Sequence, residues 1–537
     1  MVHHLINSLL HIIKKNYFSI VFCSICSLII LYYGISIVPV LSPDSYGYIG
    51  MGKAITENGL IWFLSSYTIS TPLYPIFIAS LIYLGGDPLF SAHIITVLAF
   101  ALLAFPTFYL GKEIGNVYVG YCSCILIVTS SSMWHLSTMV WTEMPFILFS
   151  VISTLYLVKY IKYNQFFFLI VSGFFVALAS IERYVGIFLV ISSVILIFIF
   201  EIYLNKQKIW RFLLFLFISS IPIFLILLRN FIVGQNYYYM WKSQTPILDS
   251  IYYTIYFKVR GIFPSFVKPD NSAYLFLIII VLLIILHIVI IKKCNVSKKA
   301  LIHYFLVTSP LWMYITIFIS LFEILYLSWQ GFGEHGRLQI VIIPVIILFA
   351  FSFFAFTYKN IHERTHKKYY IFLIIAIFSI NAIGQISVLP QAYKNLQDGY
   401  GDFYSDPCWR NNQGIRWLNE NAKGSDVYTT SYDSGPISLY LGREPYFFPC
   451  NGYNSSYCSN LYSDKYYHSN KTVMRNSSYI IIIGDYCERK LGYKDYQQII
   501  SLDDFKQIVN NSGDYTLVKQ FSDSSIYRYT ESCGILK

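Results

Sequence analysis

The chain has 537 residues, 56% of them hydrophobic and only 12% charged, with a mean hydropathy of +0.55; soluble domains carry about twice that charged fraction, so the composition excludes an ordinary soluble protein. The formal net charge of +11 comes entirely from residues 1–389, which hold 24 Lys+Arg against 12 Asp+Glu, whereas residues 390–537 hold 15 against 16. Because the excess lies in the hydrophobic part of the chain, it indicates membrane topology and not a nucleic-acid partner.

Apolar stretches predict a polytopic α-helical membrane protein with about eleven transmembrane helices. Their ranges are 18–40, 89–110, 117–137, 144–161, 165–181, 184–204, 210–230, 273–291, 303–325, 338–357 and 369–389. We therefore assign residues 1–389 to a transmembrane domain. The first stretch is too long for a signal-peptide core and lacks a small-residue cleavage site, so we expect it to remain as a span.

Basic residues in this domain fall mainly in alternate loops or at the span ends beside them. They are Lys14, Lys15, Lys112, Lys159, Lys162, Lys206, Lys208, Arg211, Lys292, Lys293, Lys298, Lys299, Lys359, Arg364, Lys367 and Lys368. The positive-inside rule places these loops in the cytoplasm. The sequence thus predicts a multi-pass protein of the cell membrane with a cytoplasmic N-terminus and an extracytoplasmic C-terminal domain.

The first outer loop, residues 41–88, begins with a carboxylate close to the membrane surface. Asp44 follows the first span within a few residues, and an acid at the membrane edge is a functional candidate because charge there is costly. Further along this loop, residues 73–84 are apolar but only about half the length of a span, which predicts a helix that lies in the interface or re-enters the membrane. Pro72 and Pro75 would break the start of this helix.

Other charged residues collect on the same predicted outer face. They are Glu143, the Glu182-Arg183-Tyr184 turn, the loop 230–272 and the run Glu334-His335-Gly336-Arg337. A patch of carboxylates and arginines at one water–lipid boundary is suited to an anionic lipid head group.

Residues 390–537 are polar, contain no stretch long enough to span, and predict a small extracytoplasmic α/β domain. The predicted elements are helices over 412–422 and 502–509 and strands over 426–430, 479–483, 515–521 and 525–529. Five cysteines lie in this region without metal-ligand spacing, and outside the cytoplasm they could form disulfides, most easily between Cys450 and Cys458.

Three short motifs in the membrane domain, taken in order, carry a family resemblance. They are Pro43-Asp44-Ser45 with Tyr48 four residues after the acid, Thr71-Pro72-Leu73-Tyr74-Pro75, and Thr142-Glu143. Two further matches are weaker: Arg183-Tyr184, and Arg337 with Pro344. Over roughly residues 15–450 the chain resembles the GT-C superfamily of polytopic glycosyltransferases, in particular the protein mannosyltransferase and aminoarabinose transferase branch. Ser45 stands where protein mannosyltransferases usually have a second acid, and Ser70-Thr71-Pro72 where aminoarabinose transferases tend to have Lys-Pro-Pro, so neither reaction follows from the resemblance.

The resemblance implies a transferase that takes a sugar from a polyprenyl-phosphate-linked donor and adds it to a lipid, glycan or protein acceptor on the outer face of the membrane. Such a transfer needs a base for the acceptor proton, and cations or a metal for the departing phosphate. Asp44 is the candidate base. The alternative is that Asp44 caps a helix that begins near Tyr46.

Glu143 is the second candidate acid, which would orient the acceptor or bind a divalent metal together with His335; alternatively, it caps the fourth span. Arg337 and Arg183 would bind the phosphate, since guanidinium groups bind oxyanions through two donors. The position of Arg183 at a span end also fits an arginine that snorkels to the surface.

Tyr48 could stack on the sugar or anchor the chain at the interface, and Lys53 could add a cation for the phosphate or be solvated. No cofactor beyond a possible divalent metal is predicted. The glycine-containing stretches do not match a phosphate loop, which disfavours a nucleotide-sugar donor.

Two other functions remain open: a transporter or flippase of lipid-linked glycans, and a non-catalytic subunit of an envelope-assembly complex. Transporters tend to have internal repeats and polar groups at mid-membrane. This chain instead places its acids and arginines on one face, which favours surface chemistry.

Overall fold

The computed structural model describes residues 2–37, 39, 41–66, 71–204, 209–232, 298–317, 343–360, 411–421, 427–429, 446–447, 479–483, 515–521 and 524–529. Two compact units are present: Met1–Val38 with Tyr48–Lys394, and Pro39–Gly47 with Asn395–Lys537. The predicted division into a transmembrane domain over residues 1–389 and an extracytoplasmic domain over residues 390–537 stays a prediction.

The longer secondary-structure elements described in the first unit are all helices. Its helices are α1 (Val2–Ser36), α2 (Pro43–Asn58, which begins in the second unit), α3 (Leu60–Ser66), α4 (Leu73–Tyr83), α5 (Pro88–Ile114), α6 (Val117–Val128), α7 (Ser131–Thr138), α8 (Glu143–Tyr163), α9 (Phe166–Glu182), α10 (Gly186–Phe198), α11 (Ile209–Ile232), α12 (Lys298–Ile317) and α13 (Ile343–Asn360). A π-helical segment, Ile199–Leu204, continues from α10.

Four of these helices are long and apolar enough to cross a membrane: α1 over Tyr17–Ser36, α5, α8 and α11. The stretch predicted as one span over 117–137 is divided into α6 and α7, which are bent by 56° relative to each other and could form a fifth span. The first span ends at Ser36, four residues before its predicted end. The predicted spans 273–291 and 369–389 lie outside the described residues.

Helix α5 lies at the centre of the packing: it contacts α1, α6 and α8, while α8 packs on α9 and α9 on α11. Helices α5 and α6 approach closely where two glycines face each other. A Cβ built on Gly111 would lie 2.9 Å from the Cα of Gly120, so any larger residue there would push the helices apart.

Helix α4 confirms the short apolar helix predicted in the first outer loop. Pro72 occupies its N-cap position and Pro75 lies in its first turn, where a missing backbone N–H is tolerated because it would have no intrahelical partner. The buried Tyr74 hydroxyl donates a hydrogen bond to the Ala92 carbonyl oxygen at 2.9 Å. This bond fixes α4 against α5.

The second unit contains the helix α14 (Gln413–Asn421) and a five-stranded sheet. The strands are β1 (Val427–Thr429), β2 (Tyr446–Phe447), β3 (Tyr479–Ile483), β4 (Tyr515–Gln520) and β5 (Ser524–Tyr529), in the order β2-β1-β3-β5-β4. Strand β1 is parallel to β2 and β3, whereas β5 is antiparallel to β3 and β4. The predicted terminal hairpin is confirmed; the helix predicted over 502–509 and the Cys450–Cys458 pair lie outside the described residues.

Candidate active site

Asp44 lies in the first turn of α2, and it does not cap this helix. The cap is Ser42, whose Oγ accepts a hydrogen bond from the Ser45 backbone N–H at 3.3 Å, while the Ser45 Oγ accepts one from the Ser42 N–H at 3.0 Å. This reciprocal pair is a capping box, and Pro43 supplies the residue type that suits the first helical position. The alternative that Asp44 is the N-cap of a helix beginning near Tyr46 is not found, because the helix begins at Pro43, before Asp44.

Tyr48 and Lys53 lie on different faces of α2, since they are five positions apart in the helix. The Tyr48 ring packs edge-on against the buried Tyr74 ring, with the centroids 5.4 Å apart. Lys53 is half-buried. Gly52 allows α2 to approach α4 closely, because a Cβ at this position would lie 2.5 Å from a methyl carbon of Ile78.

A buried ion pair joins the start of α8 to the end of α9. One η nitrogen of Arg183 lies 2.6 Å from a carboxylate oxygen of Glu143, with side-chain exposures of 13% and 1%. The same nitrogen donates to the Thr142 hydroxyl at 2.8 Å. Only Asn164 and Gln165 separate α8 from α9; the two helices therefore run antiparallel, and the first turn of α8 lies beside the last turn of α9.

The sequence suggested that Arg183 snorkels to the surface, but its side chain turns inward. Helix α9 ends at Glu182, and Arg183 adopts an extended backbone, with φ −147° and ψ 140°. This change of backbone direction points the guanidinium at α8. The arginine thereby gains two polar partners that lie 41 and 40 residues away in the chain.

Glu182 is a further acid of this cluster that the sequence analysis did not select. It is fully buried, and neither of its carboxylate oxygens has a hydrogen-bond donor among the described residues. Its backbone carbonyl accepts a hydrogen bond from the Thr71 hydroxyl at 2.6 Å, which ties the start of the outer-loop motif to α9. The cluster therefore contains two carboxylates and one guanidinium.

Tyr74, in the short helix α4, remains a neutral hydrogen-bond donor beside this cluster. Burial raises the pKa of its hydroxyl well above the usual range, and the negative charge of Glu182 acts in the same direction. A protonated hydroxyl is required for the bond to the Ala92 carbonyl.

Arg337 and His335 lie outside the described residues, so a metal site formed by Glu143 and His335 stays a prediction. No group of three or more His, Cys, Asp or Glu side chains in the described segments could hold a metal ion. The structure thus brings Glu143 and Arg183 together, whereas Asp44 belongs to the second compact unit.

The apolar helices are those of an integral membrane protein, and the Glu143–Arg183 ion pair lies at the ends of two of them. The family model for dolichyl-phosphate-mannose-protein mannosyltransferase matches residues 70–226. This segment includes Thr71, Glu143, Glu182 and Arg183. No curated protein matches the chain in sequence.

Solved structures share the fold. A crystal structure of ArnT from Cupriavidus metallidurans bound to undecaprenyl phosphate superimposes with a TM-score of 0.60 at 9% identity, covering 96% of this chain and 98% of ArnT, and the apo state gives the same values. The apo oligosaccharyltransferase of Archaeoglobus fulgidus gives a TM-score of 0.50 at 12% identity, covering 87% of this chain and 70% of that one. The fold is that of the GT-C superfamily, and together with the matched segment it supports a membrane glycosyltransferase of this superfamily.

Proposed function

We propose that this chain transfers a sugar from a polyprenyl-phosphate-linked donor to a hydroxyl of a lipid, glycan or protein acceptor on the outer face of the membrane. The observation that carries the proposal is the buried Glu143–Arg183 pair within a GT-C fold. ArnT, which shares this fold, was crystallised with undecaprenyl phosphate, a ligand of the same chemical class as the proposed donor carrier.

Arg183 is suited to hold the departing phosphate. Both of its contacts with described residues use one η nitrogen, so among these residues the ε nitrogen and the other η nitrogen have no partner and can donate to an oxyanion. Glu143 and Thr142 fix the guanidinium in one orientation, and a pre-oriented cation stabilises charge that develops during the reaction. Arg337 and Lys53 would add positive charge, and His335 would serve with Glu143 if a divalent metal takes part.

Asp44 is the proposed general base, which takes the proton from the acceptor hydroxyl. It lies in the first turn of α2, directly beside the Ser42–Ser45 cap. Tyr48 follows one turn later on the same helical face, where an aromatic ring could contact a sugar.

The test is transfer by the purified full-length chain in lipid vesicles, with radiolabelled sugars on a polyprenyl monophosphate. We expect the wild type to release the carrier phosphate and Asp44→Asn to lose about 100-fold or more in rate, the range that general-base catalysis supplies. The matched control is Glu57→Gln, which removes an exposed carboxylate from the same helix. This variant should retain the wild-type rate.

Two outcomes would contradict the proposal at different levels. A folded Asp44→Asn variant with near wild-type transfer would remove Asp44 as the base. Absence of transfer from every polyprenyl-linked sugar to lipid, glycan and protein acceptors, with a folded wild type, would remove the transferase proposal itself.

A further inference from the structure

A second polar cluster surrounds the turn between α8 and α9, at the opposite end of α8 from Glu143. With 21 residues, α8 is about 31 Å long, so its two ends reach opposite boundaries of the hydrocarbon core. Asn164 ends α8 in the left-handed conformation, with φ 52°. Its side-chain oxygen accepts a hydrogen bond from Arg211 of α11 at 2.7 Å. The turn is therefore a fixed meeting point of three helices.

Basic side chains at this turn lie over aromatic rings. The Lys159 ammonium is 5.4 Å from the Tyr156 ring centroid and 5.7 Å from that of Phe168. The Arg211 guanidinium is 5.9 Å from the Phe166 centroid and 5.7 Å from that of Trp210. Lys162 lies over Tyr163 in the same way, at 5.3 Å. The turn collar is the name we give to Lys159 and Arg211 together with the rings of Tyr156, Tyr163, Phe166, Phe168 and Trp210.

The collar carries positive charge that is not neutralised by contact with carboxylates. Lys162 forms an ion pair with Glu113 at 2.7 Å. In contrast, Lys159 and Arg211 form no ion pair among the described residues; the partners of Arg211 are the Asn164 oxygen and the Tyr160 hydroxyl. Tyr160 in turn donates a hydrogen bond to the buried Glu201. The Tyr160 hydroxyl therefore lies between the Glu201 carboxylate and the Arg211 guanidinium. Lys159 and Arg211 thus have no carboxylate in direct contact among the described residues.

The surroundings of these cations fit a lipid better than a soluble anion. Trp210, Tyr163 and Phe167 are 51%, 50% and 64% exposed beside them. Exposed aromatic rings at a span end are typical of the head-group region, where long basic side chains extend toward lipid phosphates. Inorganic phosphate would leave these rings uncovered.

We propose that the turn collar binds the phosphate of an anionic phospholipid in the leaflet at this end of α8. This site is separate from the candidate active site, and its existence does not depend on the proposed transferase activity. Its function would be to retain anionic lipid at the α8–α9–α11 junction.

The test measures retention of phosphatidylglycerol and phosphatidylcholine by the full-length protein in detergent, using native mass spectrometry. A basic residue near an anionic lipid surface contributes enough that its removal should weaken phosphatidylglycerol binding about fivefold. We expect this loss for Lys159→Gln, and for Arg211→Gln provided that its melting temperature without added lipid is unchanged. Arg211→Lys keeps the charge and should recover part of the affinity.

Lys359→Gln is the matched control. Lys359 is an exposed lysine in the last turn of α13, which the positive-inside pattern places on the same side, and it lies over no aromatic ring of the described residues. The proposal requires unchanged phosphatidylglycerol retention in this variant and no effect of any substitution on phosphatidylcholine. Equal losses for Lys359→Gln and Lys159→Gln would overturn it in favour of non-specific surface charge. Effective competition by inorganic phosphate would also overturn it, because the site would then take a soluble anion.

Discussion

Substitution of Arg183 by Gln should destabilise the protein far more than substitution of Glu143 by Gln. Arg183→Gln leaves both Glu143 and Glu182 buried without a guanidinium, and breaking a buried ion pair from one side costs about 3–5 kcal/mol. Glu143→Gln leaves Arg183 next to the Glu182 carboxylate, which lacks a hydrogen-bond donor and can take over the cation. We therefore expect a smaller loss of about 1.5–3 kcal/mol, the range for hydrogen bonds to charged groups.

The assay is the apparent melting temperature in detergent at a fixed scan rate, because unfolding of such a protein is expected to be irreversible. Lys162→Gln is the control: it breaks an ion pair with the same number of charges, but the side chains of Lys162 and Glu113 are 24% and 17% exposed. That pair should contribute only about 1 kcal/mol. The expected order of destabilisation is Arg183→Gln, then Glu143→Gln, then Lys162→Gln. If Glu143→Gln proves as harmful as Arg183→Gln, then Glu182 does not compensate and the reasoning fails.

Three further substitutions test the packing and capping around these clusters. Ser42→Ala should destabilise α2 by about 1 kcal/mol, which would be measured as faster proteolysis at the start of this helix. Ser42→Thr should retain the cap. Equal effects of the two substitutions would argue against capping by Ser42. Gly111→Ala should lower the melting temperature, because overpacking between α5 and α6 costs about 1–3 kcal/mol. Gly50→Ala places its methyl group in open space and should leave the melting temperature unchanged. Equal losses would contradict the close approach of α5 and α6. Tyr160→Phe removes the hydroxyl that bridges a buried carboxylate and guanidinium and should cost about 1–3 kcal/mol by thermal unfolding, more than the control Tyr156→Phe.

Hydrophobic length was sufficient to predict most of the described helices. Helices α8, α9 and α11 were found at the expected positions because long apolar runs have few alternatives in a membrane, and α4 was found where a shorter apolar run predicted it. The bend between α6 and α7 was missed, since hydropathy is continuous across a break that depends on backbone geometry. The predicted end of the first span was wrong for the same reason.

Only part of the polar cluster could be predicted from the sequence. Glu143 was selected because it opens a predicted span. Glu182 was not, because an acid next to an arginine at a helix end suggests a local charge pair in water. Its complete burial depends on α8 and on the Thr71 contact, and these come from distant parts of the chain. The Ser42–Ser45 capping box carried a local signal that could have been recognised at the sequence level.

Burial of two carboxylates and one guanidinium is poorly explained by stability alone. Well-packed apolar residues of similar volume often replace a buried ion pair with no loss, or with a gain of about 1–4 kcal/mol. The combined variant Glu143→Leu, Glu182→Leu and Arg183→Met should therefore melt at or above the wild-type temperature, yet lose sugar transfer in the vesicle assay. A stable variant with wild-type transfer would show that the cluster has no part in the chemistry, and a variant that fails to fold would show that the charges support the fold. A stable but inactive variant would mean that these three charged groups are kept, despite the cost of desolvating them, because sugar transfer requires them.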